Sequence, residues 1–234
     1  MAQMDWEIVE TEPARADENM RRDTMLLHDL GRREKPILHL YAWQRPSVTF
    51  GHFINPEKVL NLQEAEKRGV DLARRPTGGG VVFHLWDLAF SVLIPAKSSL
   101  YSANTLENYQ LINRVVQNIA KEWLGDCELT PEDATVQTPE CTYFCMARPT
   151  KYDVILEGKK IAGAAQRKTK EGFLHQGTIA LQRPDEEMLA ALLPSPDVRK
   201  AMLQVTCPLL TQGGDLEIAR QRLSELLKQY FTKL

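Results

Sequence analysis

The residues that could do chemistry gather in three places. Arg74 to His84 reads RRPTGGGVVFH: two cations, Pro76, Thr77, the glycines Gly78, Gly79 and Gly80, then an apolar run ending in an imidazole. Gly158 to Gly177 reads GKKIAGAAQRKTKEGFLHQG, with Lys160 opening an apolar, small-residue run and His175 near its end. Between them lies CMARPTKYD, in which Cys145 stands eight residues before Asp153.

Each residue type offers a chemistry and a plainer alternative. Glycine lacks the Cβ that keeps a ligand off the backbone, so bare N–H groups there can approach a bound molecule, or simply form a tight turn. Arginine can hold a carboxylate or phosphate with two parallel donors. A lysine among apolar residues is a fixed charge beside an anion or a polarised carbonyl, or else a strand-edge cation reaching water. Cys145 is a nucleophile if a nearby cation favours its thiolate, and a small buried hydrophobe if not. His175 is a hydrogen-bond donor, a base, or a structural strand residue.

Several familiar devices are excluded. GxxxxGK followed by Ser or Thr is absent, GxGxxG is absent, and Val81, Val82 and Phe83 predict a strand after the glycines where a phosphate loop needs a helix. Cys141 and Cys145 form half a metal-site spacing with no second half and no nearby histidine, so no zinc is expected. Cys127 and Cys207 carry no supporting context, and four cysteines in 234 residues do not make a disulfide framework.

The elements that must position these residues follow from periodicity. Helices are predicted over Ala14–Leu30, Pro56–Gly69, Ser102–Leu124, Asp185–Leu193 and Leu216–Phe231, from apolar spacing, Pro starts and Gly stops. Strands are predicted in two runs within Ile37–Phe50, over VDLARR before the glycines, and as one or two strands within Val81–Ile94. Tyr152–Leu156 and Lys160–Ala164 flank a Glu157-Gly158 hairpin turn, and Phe173–Leu181 is a further strand. Asp126–Thr150 reads as loop with one short strand. The pattern implies an α+β class, a central mixed β-sheet flanked by helices, in a single domain spanning 1–234.

Composition is that of an ordinary globular chain, 43% hydrophobic and 26% charged. A net charge of −2 with scattered basic residues gives no reason to expect nucleic acid or an anionic membrane surface. The acidic N-terminus lacks an apolar core and no run is long enough to cross a bilayer, so a cytoplasmic location is expected.

RRPTGGGVVFH taken with GKKIAGAAQRKTKEGFLHQGTIAL, the Asn19-containing helix and LYAWQRPSVTFGHF resembles the biotin/lipoate protein ligase superfamily, in its lipoate–protein ligase and octanoyltransferase branch. That resemblance implies a helix-flanked mixed sheet with an acyl tunnel. It also implies attachment of lipoate or octanoate, in amide linkage, to one lysine of a lipoyl carrier domain (a 2-oxoacid dehydrogenase E2 subunit or glycine cleavage H protein). It places Arg74, Arg75, Thr77, Gly78, Gly79, Gly80, His84, Gly163, Ala164, His175 and Gly177 around the acyl group and its activated carboxyl. Lys160 is implied to contact the acyl carbonyl.

Two chemistries exist in that branch. An ATP- and Mg²⁺-dependent ligase forms an acyl-adenylate; a transferase passes the acyl group between carriers through a cysteine thioester. The unbroken glycines favour the ligase, as does Asp153, which the resemblance makes a Mg²⁺ ligand; Cys145 favours the transferase. The chain's end at Leu234 leaves no room for a C-terminal accessory domain, which counts against the larger ligases. Leu85 and Trp86 stand where the family places part of an Asp-x-Gly-Asn segment, with Asp87 a candidate for the polar role. On balance the sequence favours the ligase, with the Cys145 transferase as the alternative and a non-catalytic lipoate- or carrier-binding subunit behind it.

Overall fold

The computed structural model of the chain describes residues 5–135, 138–210 and 214–234. In chain order its elements begin with β1 (Glu7–Glu10), α1 (Ala16–Asp29), β2 (Ile37–Leu40) and β3 (Ser47–Phe50). There follow α2 (Leu62–Lys67), β4 (Asp71–Arg74), β5 (Val81–His84), β6 (Asp87–Pro95) and α3 (Thr105–Leu124). The second half holds β7 (Glu128–Leu129), β8 (Val154–Leu156), β9 (Lys159–Thr169) and β10 (Gly172–Ala180), then α4 (Glu186–Leu192), α5 (Pro196–Val205) and α6 (Leu216–Phe231). The fold is α+β, built on a large mixed sheet flanked by helices.

β6 and β10 are buried at every position, as strands covered on both faces must be. They pair antiparallel from Asp87–Ala180 to Pro95–Gly172 and form the middle of a seven-stranded sheet, β1-β2-β6-β10-β9-β8-β7. One face carries α3 and α6, which drive Ile112, Val116, Ile119, Leu223, Leu227 and Phe231 onto Phe90 and Phe173. Each such side chain contributes about 1.5–3 kcal/mol by leaving water. The other face receives α1, where Leu27 and Leu30 meet Ile37, Leu93 and Leu174.

A second sheet, β4-β3-β5, has its own apolar cluster with α2, α4 and α5. The glycine segment therefore leaves one small-sheet strand and enters another, as the valines after it predict. The β8–β9 hairpin turns at Glu157 and Gly158, both with positive φ, which suits a tight two-residue turn.

Three elements differ from the sequence expectation. The predicted helix over Pro56–Gly69 is a 3₁₀ turn at Pro56–Lys58 followed by α2, because Asn61 caps a new helix by accepting from Glu64 N. β1 was not predicted; it is a half-exposed edge strand of four residues, too short for an alternating signal. α5 was also missed, although Ser195 as cap and Pro196 at the first turn are start signals.

Candidate active site

The two arginines part company at the end of β4. Arg75 turns inward, 3% exposed, and its Nη2 donates to Gly78 O (2.8 Å) while Nη1 reaches Thr49 O (3.3 Å). Arg74 is exposed and folds the other way, donating to the carbonyls of His52 (2.6 Å) and Ile54 (2.9 Å) over the Phe50 ring. Both arginines were expected at one site; only Arg75 borders the cavity beside Cys145, because successive strand side chains point to opposite faces. Thr77 is fully buried and donates to Gln176 Oε1 (2.7 Å), so it anchors the turn to β10.

The glycines form a floor over which another segment crosses. Gly79 has φ of +80°, a left-handed conformation natural to glycine, and is exposed. Val81 bridges to Phe144, and Cys145 N donates to Val81 O (3.1 Å), so the 143–145 backbone runs directly against Gly80. A Cβ on Gly80 would stand 2.2 Å from Tyr143 O. Glycine is required there to admit the chain that carries the cysteine.

That crossing puts Cys145 Sγ where it accepts from Gly80 N–H (3.2 Å) and from Arg75 Nη2 (3.6 Å). Among the described residues no acceptor faces Sγ, so in both of its hydrogen bonds the sulfur accepts. Cys145 is half-buried, whereas Cys141 is closed off at 1% exposure. Cys127 and Cys207 lie elsewhere, and burial pushes both thiols up.

Lys160 is 2% exposed and fully engaged. Its Nζ donates to Asp153 Oδ2 (2.7 Å), Cys145 O (2.7 Å) and Arg148 O (3.4 Å), one acceptor for each proton. Asp153 is completely buried, beside Tyr152, whose left-handed φ of 67° turns the chain inward. Its Oδ1 accepts from Tyr109 OH (2.6 Å) and its Oδ2 from Thr150 N (2.7 Å), Thr150 Oγ1 (2.8 Å) and Lys160. Burial and the neighbouring carboxylate push the Tyr109 phenol well above its ordinary range, so it stays a donor.

Four donors engage this carboxylate, three on Oδ2 and one on Oδ1, so only Oδ1 keeps a lone pair for the Mg²⁺-ligand role that the resemblance implied. Among the described residues no three His, Cys, Asp or Glu side chains cluster to hold a metal.

Beside Cys145 opens a cavity whose empty space is about 410 Å³, part of it open to solvent. Of the residues the sequence placed together, Arg75, His84, Lys160, Gly163, Ala164 and Gly177 border it, while Thr77, Gly78, Gly79 and Gly80 do not. Gly163 must be small, since its Cβ would meet Lys160 Cε at 2.4 Å, and Gly177 likewise leaves room for the Phe90 ring. At the inner wall His84 stacks on Trp43 (4.3 Å), takes Thr49 Oγ1 on Nε2 (2.9 Å) and pairs through Nδ1 with Asp87 Oδ2 (2.8 Å). Thr178 Oγ1 donates to the same Asp87 oxygen. His175 does not border the cavity; it faces Phe90 and Tyr109 in the core, and burial holds its pKa down at about 3. It is neutral and structural in this position.

A family model described as the lipoyl protein ligase A/B catalytic domain matches residues 15–218. The chain belongs to this family. An octanoyltransferase, LipM, of Geobacillus kaustophilus (strain HTA426) is 30% identical over 206 residues, which cover 85% of this chain and 73% of its own. Among solved structures, a putative lipoate protein ligase from T. acidophilum with bound lipoic acid aligns at TM-score 0.75 and 26% identity, over 98% of this chain and 85% of that one. A lipoate-protein ligase A bound with ATP aligns at 0.70 and 26% identity, over 98% and 84%.

Within this member of the lipoyl protein ligase A/B family, two supports, Tyr109 and Asp23, escaped the sequence reading. Tyr109 counts toward the apolar face of α3 by spacing, and nothing in that pattern marks its hydroxyl as the partner of Asp153. Asp23 lies buried in α1, pairing with His39 Nδ1 (2.8 Å) and accepting from Ser91 Oγ (2.6 Å) and Gln176 Nε2 (2.6 Å). This cluster ties α1 to β2, β6 and β10 behind the cavity. Asn19, in the same helix, donates to Ala42 O (2.9 Å). Among the described residues no helix is long and apolar enough to cross a membrane.

Proposed function

We propose that residues 1–234 form a single catalytic domain that transfers an octanoyl or lipoyl group from a carrier thioester to a lysine of a lipoyl carrier domain, through a thioester on Cys145. The observation that carries this reading is the setting of Sγ: at the cavity, accepting from Gly80 N–H and Arg75, with no acceptor for its proton among the described residues. In the first half-reaction Sγ attacks the donor's acyl carbon, the new C–S bond replaces the old one, and the donor thiol leaves with the proton. In the second, the acceptor lysine's neutral amine attacks the Cys145 thioester; an amide forms, the C–S bond breaks, and one amine proton ends on the restored thiol.

Each residue has a place in this scheme. Arg75 and Gly80 N–H stabilise the thiolate as nucleophile and as leaving group. Lys160, its charge paired with Asp153, fixes the nucleophile's loop at the cavity wall through Cys145 O and Arg148 O. Gly163, Ala164 and Gly177 border the space that would take the chain, and His84, held by Asp87, stands at its inner wall.

The relative named an octanoyltransferase supports the same reading. The ATP-dependent ligase, favoured on sequence, loses one of its supports, because the unbroken glycines are explained by the Cys145 crossing. The solved ligase structures still speak for it. The discriminating experiment mixes the protein with octanoyl carrier thioester and, separately, with free lipoate, ATP and Mg²⁺. The proposal expects an octanoyl mass adduct on Cys145, modification of the acceptor domain without ATP, and an inactive Cys145→Ser. Full activity of Cys145→Ser with ATP and free lipoate would establish the ligase instead.

A further inference from the structure

The cavity beside Cys145 has a movable wall. Met146 borders it on one side and on the other borders a second hollow, of about 330 Å³ and partly open to solvent, walled also by Phe83, Trp86, Ala180 and Met202. Thr178 is the other residue shared by both. Thr178 cannot yield, because its hydroxyl is tied to Asp87, which His84 holds in turn. Met146 has no such tie. It is 8% exposed, packs in the apolar cluster of Phe83, Phe144 and Met202, and is an unbranched side chain that changes shape easily. Its backbone follows Cys145 directly, and Cys145 N is pinned to Val81 O (3.1 Å), so this wall stands at a fixed offset from the nucleophile.

We propose that Met146 sets the acyl-chain length this protein accepts, its side chain stopping the chain's tail at the boundary between the two hollows. The inference rests on the Cys145 thioester reading for its chemistry. Shortening Met146 joins the hollows and gives a longer tail somewhere to go. Each extra methylene buried there favours the longer chain about fourfold, so two favour it by at most about sixteenfold. The second hollow also touches Asp87 and Thr206, each with a buried oxygen lacking a partner among the described residues. Passing them reduces the gain, and a shift of about tenfold is expected.

The experiment offers the protein an equimolar mixture of octanoyl, decanoyl and dodecanoyl N-acetylcysteamine thioesters and reads the adducts on Cys145 by intact mass. The parent is expected to favour octanoyl, and Met146→Ala to raise the decanoyl-to-octanoyl ratio about tenfold. Adding Met202→Phe, which fills the second hollow from its far side, should remove that gain. An unchanged ratio in folded Met146→Ala overturns the proposal. If Met146→Ala does not fold, Met146→Val should show a smaller shift in the same direction, and no shift again overturns it. The same series is read without thioester chemistry by calorimetric binding of octanoate and decanoate to Cys145→Ala, with and without Met146→Ala. A parent with no adduct at any length, yet with decanoate binding gained on truncation, refutes the thioester and keeps the Met146 wall. Adducts formed with no change in preference do the reverse.

Discussion

Replacing Gly80 by alanine probes the packing that positions Cys145, the proposed nucleophile. The added Cβ would lie 2.2 Å from Tyr143 O, 2.4 Å from Tyr143 C and 2.8 Å from Phe144 N, where ordinary contact begins near 3.4 Å. All three are main-chain atoms, and the segment is held by the Val81–Phe144 bridge and the Cys145 N–Val81 O bond. No side chain can swing aside, so the backbone carrying Cys145 must retreat by on the order of 1 Å, which costs a catalytic arrangement roughly 100-fold. That corresponds to about 2.7 kcal/mol in the barrier, with a stability loss of about 1–3 kcal/mol from overpacking. The assay is the rate of acyl-Cys145 formation from octanoyl carrier thioester, by quenched mass spectrometry, beside a thermal melt. Gly31→Ala is the matched control: its Cβ would meet Glu171 Oε2 at 2.0 Å, but that is the free end of a flexible side chain far from the cysteine. It should acylate within about twofold of the parent. If Gly80→Ala also acylates within threefold, Gly80 does not position Cys145 and the reasoning fails.

Further outcomes follow from the buried groups. Lys160→Ala strands the Asp153 carboxylate and frees the Cys145 carbonyl; it should lose transfer altogether and about 3–5 kcal/mol of stability, and an unchanged melting temperature would contradict the fully buried pair. Tyr109→Phe removes the donor to Asp153 and the acceptor of Ala164 N–H, an expected loss of about 1–3 kcal/mol in urea unfolding at constant slope; no shift in midpoint would count against it. His175 binds a proton far less readily when folded, at a pKa of about 3, than at its ordinary 6.5. Stability is therefore full above pH 6.5 and falls as pH drops toward 3, by about 2–3 kcal/mol between pH 6.5 and 4.5 from this group. His175→Gln should flatten that slope in urea titrations at the two pH values, and parallel curves would refute it. Chelation by EDTA should leave thioester transfer unchanged, since neither proposed half-reaction uses a metal; a rate lost to EDTA and restored by Mg²⁺ would refute the transferase reading.

The fold and most of the site could be read from the sequence because both depend on local signals. The valines after Gly80, the Glu157-Gly158 turn and the apolar spacing of α3 each specify their element within a few residues. The GGG and KIAG segments kept their character in the structure because smallness is itself the message: Gly163 and Gly80 are glycine for contacts that only backbone or a buried lysine could make. What stayed hidden is pairing across distance. The direction of Arg74 depends on strand alternation at one residue, and the partners of Asp153 come from positions 109, 150 and 160. A tyrosine on an apolar helix face looks the same in sequence whether its hydroxyl meets water or a buried carboxylate.

The same hidden pairing bears on which chemistry this member of the family performs. A carboxylate can hold a metal or neutralise a buried lysine, and Asp153 does the second here through Oδ2. Lys160, in turn, spends its protons on Asp153 and on the carbonyls of Cys145 and Arg148, so the pair straps down the segment that follows the Gly80 crossing. Strap and crossing act on opposite sides of one residue: the carbonyl of Cys145 is fixed by Lys160 and its amide by Val81. Both backbone groups of the cysteine are thereby immobilised, which holds Sγ against Gly80 N–H without any contact to the sulfur from Lys160 itself. Main-chain restraint by itself is shared with Cys127, whose amide and carbonyl are also bonded. What sets Cys145 apart is its sulfur, which lies at the cavity and accepts from both Gly80 N–H and Arg75.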